Sequence, residues 1–425
     1  MTEHGALSIL ANIIPGKQEY LTNLLKEVDD NREDTDGIIP FPKLTSVHFA
    51  RFVILNEAVD TKGSTIPSRL AFTTNFDLPL NNHWQELITY AGAGLWKVFS
   101  CCVDFRSGDY DPVKLRQYLE QHSIKAKTFY VGVGYRSVQQ VRNEKKLRED
   151  IENFADANQS SFKGKSNLEI RERIIEHVRS SPDFEWASTP EPGPGFAWKL
   201  KHYGALILAI CIGVPIVLVL LPLIIIWVLI IFIDEVKTNP AENKIDKQHL
   251  RELMEHETGM VQAQFSAVGN MKPGWFRLQT TNILLMLTNF LAPYIFSKGK
   301  LSGIPTVHFA RWLIINKGKQ MLFLSNYDGN SETYLRDFIN IAGRQLTLLF
   351  SHTIGYPKTW FMVFGGAKDA KKFMEWARHN QTVTNVWYSA NKNLTVNNVF
   401  NNSKVRDGLY GTLTEEEATK WLSLI

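Results

Sequence analysis

Two copies of the pentapeptide Val-His-Phe-Ala-Arg carry the residues that are best suited to chemistry. They place His48 with Arg51 in the first half of the chain and His308 with Arg311 in the second. These residues could form a pair of pseudo-symmetric polar groups in a central cavity, or one histidine could be an axial ligand of haem. Asp328 follows in the second half and completes a candidate catalytic group with His308 and Arg311.

A structural interpretation of the same residues stays open. On a regular strand, a histidine and an arginine three positions apart point to opposite faces. Each can then satisfy backbone carbonyls and carboxylates that hold the repeat together, with Asp77 and Asp328 as partners. An active site seldom needs both copies of a motif, so the repetition favours the structural role.

His352 is a more distinctive candidate, because the aligned position in the first half is Cys101. We consider it as a ligand of haem or of a metal, with a buried structural histidine as the alternative. His249, Glu252 and His256 fall on one helical stripe, but the H-E-x-x-H zinc pattern is absent. A solvated helix face is expected there, and no metal site is predicted.

An internal repeat positions these candidates. Residues 69–101 align without a gap onto residues 320–352, at a constant offset of 251. Each copy has the order strand, helix, strand, strand, helix, strand, which is that of the ferredoxin-like unit. We therefore predict an α+β fold with two ferredoxin-like repeats, over residues 1–180 and 259–425. One face of each sheet lacks helices, and the two copies can cover it for each other.

This topology resembles that of the dimeric α+β barrel superfamily, which includes chlorite dismutases, dye-decolourising peroxidases and small monooxygenases. The segments HFARW, SNYDG and YLRDF look like those of microbial proteins related to dye-decolourising-type peroxidases. The resemblance implies an intramolecular dimeric α+β barrel. It also implies a peroxidase-like oxidoreductase acting on an apolar substrate, with haem held near His352 or His308. The Gly-x-x-Asp-Gly motif of those peroxidases is absent from this chain.

Residues 204–233 form an uncharged apolar run that includes Ile207 and Trp227. A membrane-spanning helix needs about 20 apolar residues, and a helix of this length would measure roughly 45 Å against a hydrocarbon core of ~30 Å. Pro215 and Pro222 lie near the centre and disfavour a straight helix. The run is predicted to be either a kinked span or a re-entrant hairpin. Pairing of the two repeats within one chain requires both on the same side of the membrane, which favours the hairpin.

A second apolar run, residues 283–296, takes the place of the first helix in the second copy and contains Leu285 and Phe290. A helix that is apolar on all sides is buried or touches lipid. We expect it to face the membrane or to line an apolar pocket, with burial in an oligomer as the alternative. A Pro/Gly-rich linker over residues 181–203 and a polar helix over residues 234–258 flank the main apolar run.

Composition limits the partners and the compartment. The net charge of +4 carries no dense basic stripe, so no nucleic acid is expected. Three cysteines make no disulfide framework, and the N-terminal residues lack a signal-peptide pattern. We therefore expect a membrane-associated protein with both repeats on the cytoplasmic side.

The sequence leaves three functions open. The chain can be a membrane-bound haem peroxidase, a cofactor-free module that binds lipid or another apolar small molecule, or a structural subunit of a membrane assembly. The absence of a phosphate-binding loop, a dinucleotide fingerprint and a nucleophile elbow argues against an ordinary hydrolase or nucleotide enzyme. The lipid bilayer and further copies of the chain are the expected partners.

Overall fold

The protein is an α+β protein with two four-stranded antiparallel sheets. The structure, a computed structural model, describes residues 1–105, 108–190, 192–240, 242–243, 245–255, 261–295, 301 and 303–425. His256 and Phe296, which belong to two of the sequence predictions, lie outside these residues.

The two sheets have equivalent strand orders. The first contains, in spatial order, His4–Asn12 (β1), Arg69–Asp77 (β5), Val47–Leu55 (β2) and Val386–Ser389 (β12). The second contains Gln262–Asn270 (β7), Gln320–Asp328 (β9), Val307–Ile315 (β8) and Thr128–Val131 (β6). Two short ladders pair Ala58–Val59 (β3) with Thr65–Ile66 (β4), and Thr359–Trp360 (β10) with Phe364–Gly365 (β11).

Helices follow the strands in both halves. The first half contributes Gln18–Asp30 (α1), Leu80–Glu86 (α2), Gly92–Phe99 (α3), Pro112–Gln121 (α4), Val138–Ala157 (α5), Gln159–Phe162 (α6) and Asn167–Ser180 (α7). The remainder are Phe196–Leu208 (α8), Val214–Lys237 (α9), Lys247–Glu255 (α10), Trp275–Ile295 (α11), Ser331–Phe350 (α12), Ala370–Asn380 (α13), Val396–Asp407 (α14) and Glu415–Leu422 (α15).

Each sheet is completed by a strand from the other half of the chain. Strand β12 pairs with β2, and strand β6 pairs with β8, both antiparallel. The fourth strand of each half therefore crosses to the opposite sheet. Because backbone hydrogen bonds fix these pairings, the two halves are interlocked and cannot separate without breaking both sheets.

The segments that lead into the exchanged strands also bond to the sheet of their own half. Ile124 N donates to Ser8 O of β1 at 2.7 Å, just before β6 begins. In the same way, Thr382 N donates to Ser266 O of β7 at 2.8 Å, just before β12 begins. Each crossing segment thus contacts the free edge of one sheet and then extends the other.

The facing sides of the two sheets enclose an apolar cluster. Inward positions on neighbouring strands alternate with positions that face the helices, as the pleat of a strand requires. The fully or nearly fully buried members of this cluster are Leu10, Val53, Leu55, Ala71, Leu313, Ile315, Leu322 and Leu324.

A bulge at the same place in β2 and β8 changes the direction of the candidate histidines. The strand register shifts between Val47 and Phe49, and again between Val307 and Phe309. A bulge inserts one extra residue and resets the alternation of faces. The expectation of opposite faces is therefore wrong, because the histidine and arginine of each copy both face the opposite sheet.

The main apolar run lies in one continuous helix, Phe196–Lys237, which we call the long apolar helix. It consists of α8, a π-helical turn at Ala209–Gly213, and α9. Pro215 lies in the first turn of α9 and Pro222 lies inside it, where the chain stays helical. The expected hairpin turn between the two prolines is therefore wrong. The helix is long and apolar enough to cross a membrane, and only 6% of its most apolar window is buried.

Both ends of the long apolar helix contact α11. Near its start, the carbonyl of His202 accepts a hydrogen bond from Tyr294 Oη at 2.8 Å. Near its end, Trp227 Nε1 donates to Thr280 Oγ1 at 2.8 Å. The two helices consequently run antiparallel where they touch, and the protein surface holds the long helix at two separate places.

Candidate functional site

The predicted catalytic group is a buried polar network in the second sheet. His308 Nε2 lies 2.6 Å from Asp328 Oδ1. The other oxygen, Asp328 Oδ2, accepts the backbone N–H of Val396 at 2.8 Å. Val396 begins α14, where the first N–H groups have no partner within the helix and a carboxylate is favoured. Asp328 therefore joins a strand histidine to a helix terminus.

The first sheet repeats this arrangement and adds a residue. His48 Nε2 lies 2.9 Å from Asp77 Oδ1, and Asp77 Oδ2 accepts the N–H of Val138, the first residue of α5, at 2.9 Å. His4 Nε2 lies 3.5 Å from the same Asp77 Oδ1 and 2.9 Å from the carbonyl oxygen of Arg136. The side chains of His4, His48 and Asp77 thus meet at one point in the first half.

The position of His4 is occupied by glutamine in the other half. His4 stands opposite Asp77 in the strand register, and Gln262 stands opposite Asp328. Gln262 Nε2 donates to two carbonyls of the following segment, those of Asn391 and Leu394. The two His–Asp pairs are equivalent, but the neighbouring histidine is present only in the first half.

Arg51 crosses the space between the sheets. Its guanidinium donates to the carbonyls of Phe265 at 3.1 Å and Ser325 at 2.9 Å. It also donates to Ser266 Oγ at 3.1 Å and to Asn326 Oδ1. Every one of these acceptors belongs to the second sheet and is uncharged. Burial lowers the pKa of Arg51 to about 9, so it stays charged at neutral pH.

Arg311 makes the equivalent contacts in the reverse direction. It donates to the Leu7 carbonyl at 2.6 Å, to Ser8 Oγ at 2.9 Å and to the Thr74 carbonyl at 2.7 Å. Burial, with a smaller effect from the charge of Arg51, lowers its pKa to about 9. The two arginines thus fasten the sheets to each other through backbone acceptors, and this contact pattern matches the structural interpretation.

The three residues of the predicted catalytic group do not line the cavities described below. His308 contacts Asp328, and its ring also packs against Phe49 at 5.4 Å between centroids. Arg311 is committed to the opposite sheet. A catalytic role for His308, Arg311 and Asp328 stays a prediction, with no access route among these cavities to support it.

His352 is completely buried behind the end of α12. Neither of its ring nitrogens has a hydrogen-bond partner of normal geometry among the described residues. Burial, followed by the charges of Arg277 and Lys272, lowers its pKa to about 3, so the ring is neutral. His352 lines none of the cavities described below, and this enclosed position does not fit an axial ligand of haem. Haem binding stays an untested prediction.

The predicted membrane residues fall into different surroundings. Ile207 is 60% exposed, and Trp227 is partly covered by the ring of Phe276 at 4.8 Å. Leu285 is fully buried, and its carbonyl accepts a hydrogen bond from Thr128 Oγ1 at 2.7 Å. The expected membrane-facing or pocket-lining position of Leu285 is therefore wrong. Phe290 lies on the same helix and lines a cavity.

The most extensive cavity among those described lies between the start of the long apolar helix and the end of α11. It has a volume of about 970 Å³. Aromatic rings follow one another on its wall. Trp198 is stacked on His202 at 4.4 Å, and His202 contacts the tilted ring of Tyr294 at 4.4 Å between centroids. Phe290 and Pro293 of α11 complete the apolar wall, while Glu3, Lys201 and Asn289 supply polar groups.

A second cavity of about 310 Å³ adjoins the first and shares Trp198, His202 and Asn289 with it. Phe129, Tyr130 and Tyr135 contribute its aromatic wall, and His4 lies on its surface. Ligand sites are typically concave, largely apolar and furnished with a few polar groups, in the volume range of about 300–1,000 Å³. We treat these two adjoining spaces as the candidate site and call them the helix cavity.

Comparison of the chain with models of known protein families, with characterised proteins and with solved structures finds no match.

Sequence reasoning did not select His4 or the helix cavity. His4 is distant from His48 and Asp77 in the chain, and no spacing rule connects them. One signal was available, because the match of Asn12 with Asn270 also aligns His4 with Gln262. A histidine at a position where the other copy has glutamine marks a difference between the halves.

The structural role of the crossing arginines gives a testable prediction. We expect Arg311→Met to lower the free energy of unfolding by about 3–5 kcal/mol, because buried strand carbonyls lose their donors. Urea unfolding of full-length protein in detergent measures this change. Arg336→Met is the control, since Arg336 pairs with Glu332 at 2.8 Å one helical turn away and both side chains are exposed, so a loss of about 0.5 kcal/mol or less is expected. Equal urea midpoints for the wild type and Arg311→Met would contradict a structural role of Arg311.

His352 predicts a pH dependence of stability. Its native pKa of about 3 lies below the ordinary value of 6.5, so the unfolded chain binds the proton more readily. Stability from this group is complete above pH 6.5 and is lost as the pH falls toward 3, by up to about 1.4 kcal/mol per pH unit. We expect His352→Leu to flatten the dependence of unfolding free energy between pH 7.5 and 4.5. Parallel curves for the two proteins would show that His352 does not carry this effect.

Proposed function

We propose that this chain is a membrane-attached α+β barrel module that takes an apolar or amphipathic small molecule from the bilayer into the helix cavity. The observation that carries the proposal is the place of this cavity. Its wall is formed jointly by the first turns of the long apolar helix, at Trp198 and His202, and by Phe290 and Tyr294 of α11. An apolar ligand could therefore enter from lipid without crossing water.

The barrel part of the proposal rests on the crossing segments. Residues 122–124 bond to β1 before the chain continues into β6 beside β8. Residues 381–382 bond to β7 before β12 pairs with β2. These contacts connect the edges of the two sheets on both sides, which is what an eight-stranded closed barrel of two ferredoxin-like repeats requires.

Strand exchange supports a membrane attachment from one side. A helix that crossed the bilayer would separate the residues before 196 from those after 237. Strand β12 of the second half, however, pairs with β2 of the first half, and β6 pairs with β8 in the reverse sense. We therefore infer that both sheets lie on one side and that the long apolar helix enters the membrane without crossing it.

The helix length agrees with this arrangement. Between its contacts at His202 and Trp227 the long helix measures about 37 Å, whereas their partners Tyr294 and Thr280 are only about 21 Å apart along α11. We therefore expect the intervening segment to bend away from α11. A π turn at Ala209–Gly213 and a proline inside α9 are known causes of helix bending. This exposed segment is the part that we place in one leaflet.

Aromatic and basic residues at the ends of the apolar run suit the surface of a membrane. Trp198 and Tyr203 flank the apolar run at one end and Trp227 lies near the other, where aromatic rings favour the interface between headgroups and acyl chains. Lys199 and Lys201 precede the run and can contact anionic headgroups. Such a protein would bind its ligand by burial of apolar surface. The polar groups of the cavity would orient the polar end of the ligand.

The one-sided attachment can be tested by labelling in oriented membrane vesicles. We expect Glu185→Cys and Lys368→Cys, each in a Cys211→Ser background, to react equally with a membrane-impermeant maleimide from one side only. Glu185 precedes the helix and Lys368 follows it, and both are exposed. Cys101 and Cys102 are buried and serve as silent background. Labelling of the two sites from opposite sides would establish a span and overturn this part of the proposal.

The ligand is tested with a fluorescent fatty acid and full-length protein in detergent. We expect saturable binding that Phe290→Ala weakens about 10-fold, because a buried aromatic contact contributes roughly 1.5–3 kcal/mol. Ala205→Trp, which fills the cavity from the long helix, should weaken it further. Phe364→Ala is the matched control, since Phe364 is 52% exposed and lies outside the cavity. Absence of binding, or equal affinity in all variants, would contradict the proposal, and a Soret band in the same sample would revive the haem hypothesis.

A further inference from the structure

Two imidazoles and a carboxylate meet at the edge of the first sheet. The ligand atoms of His4, His48 and Asp77 all lie within 4.8 Å of one another. His4 and Asp77 begin and end two paired strands, and the bulge in β2 turns His48 toward them. Among the residues that the structure describes, this is the one group of three such side chains with metal-binding proximity.

The separations match those of ligands that share one metal ion. Asp77 Oδ1 lies 2.9 Å from His48 Nε2 and 3.5 Å from His4 Nε2. Metal–ligand bonds of about 2.1 Å place neighbouring ligand atoms about 3.0 Å apart in octahedral sites and about 3.4 Å apart in tetrahedral ones. The two distances from Asp77 Oδ1 are close to these values, and the ligand atoms of His4 and His48 lie within 4.8 Å of each other, so binding of one ion requires the two rings to turn toward a common point.

The surroundings prepare the ligands for a cation. The side chains of His4 and His48 are 1% and 4% exposed, so their ring nitrogens face the Asp77 carboxylate in a space that is largely shielded from water. Asp77 Oδ2 is held by the N–H of Val138, which is the outer contact that orients a carboxylate ligand. When a metal binds, His4 Nε2 exchanges its bond with the Arg136 carbonyl for the metal, and the neutral ring then carries its proton on Nδ1.

One residue distinguishes this group from the equivalent polar group in the second half. The second half keeps the His308–Asp328 pair but has Gln262 where the first has His4. Gln262 bonds to a backbone carbonyl of the segment beside it, as His4 does to the carbonyl of Arg136. Since glutamine suffices for the fold, the histidine supplies something that glutamine lacks, namely a nitrogen donor to a metal.

We propose that His4, His48 and Asp77 bind one divalent first-row transition metal ion, such as Zn²⁺ or Fe²⁺, next to the helix cavity. Two imidazoles and one carboxylate leave coordination positions open, which is the pattern of metal sites that also bind water or a ligand. His4 lies on the wall of the cavity, so the polar end of a bound molecule can reach the ion. Metal binding does not depend on the proposed uptake of lipid.

Cobalt is a suitable probe, because Co²⁺ bound by nitrogen and oxygen ligands absorbs in the visible range. Full-length, tag-free protein in detergent is titrated with Co²⁺, and metal content is measured after dialysis. We expect one Co²⁺ per chain, displaced by Zn²⁺. His4→Gln, which copies the residue of the second half and should preserve the fold, is expected to lower the affinity at least 10-fold.

The control is His177→Gln, which removes another His–Asp contact, at 2.8 Å from Asp150, outside the proposed site. It should bind Co²⁺ as wild type does. Wild-type protein that retains no stoichiometric metal, or His4→Gln protein that binds as tightly as wild type, would overturn the proposal. Because detergent samples contain no added lipid, this result is independent of the fatty-acid experiment.

Discussion

The exchange of the fourth strand between the two sheets is the constraint on which the rest of the structure depends. Hydrogen bonds of β12 to β2 and of β6 to β8 join residues that are far apart in the chain. The exchange keeps both halves together, and it is the basis of our proposal that the long apolar helix does not cross the membrane. Arg51 and Arg311 add a second link, because each donates to the sheet opposite its own. The interior polar contacts and the proposed one-sided attachment thus both depend on the pairing of the two sheets.

The repeated residues serve the fold, whereas the proposed functions depend on differences between the halves. Arg51 and Arg311 make equivalent contacts, and so do the two His–Asp pairs. The helix cavity, in contrast, occurs beside α11, and His4, the third residue of the proposed metal site, has glutamine as its counterpart in the second half. The two sheets of equivalent strand order form a symmetric scaffold, because they cover each other. Specific binding then needs only a few residues on that scaffold to differ.

Some elements could be predicted from local pattern and others could not. The spacing of Leu21, Leu24, Leu25 and Val28 predicts an amphipathic helix, and α1 buries all four. His308 and Arg311 were expected on opposite faces of a regular strand. They lie on the same face, because the bulge in β8 inserts one extra residue and resets the alternation of side chains. Leu285 was expected at a lipid or pocket surface, but its side of α11 packs on β6. Composition cannot distinguish the two sides of an apolar helix.

The sequence by itself determined the α+β composition, the recurrence of VHFAR and the position of the apolar run, because each follows from residue type and local order. Only the tertiary structure decided that the run is one continuous helix fixed at both ends. It also decided that His4 meets His48 and Asp77, and that His352 is enclosed. These features depend on pairings across long chain separations and on one bulge in each sheet. Backbone geometry and packing between distant segments stabilise these features, and a local pattern of residue types does not predict either.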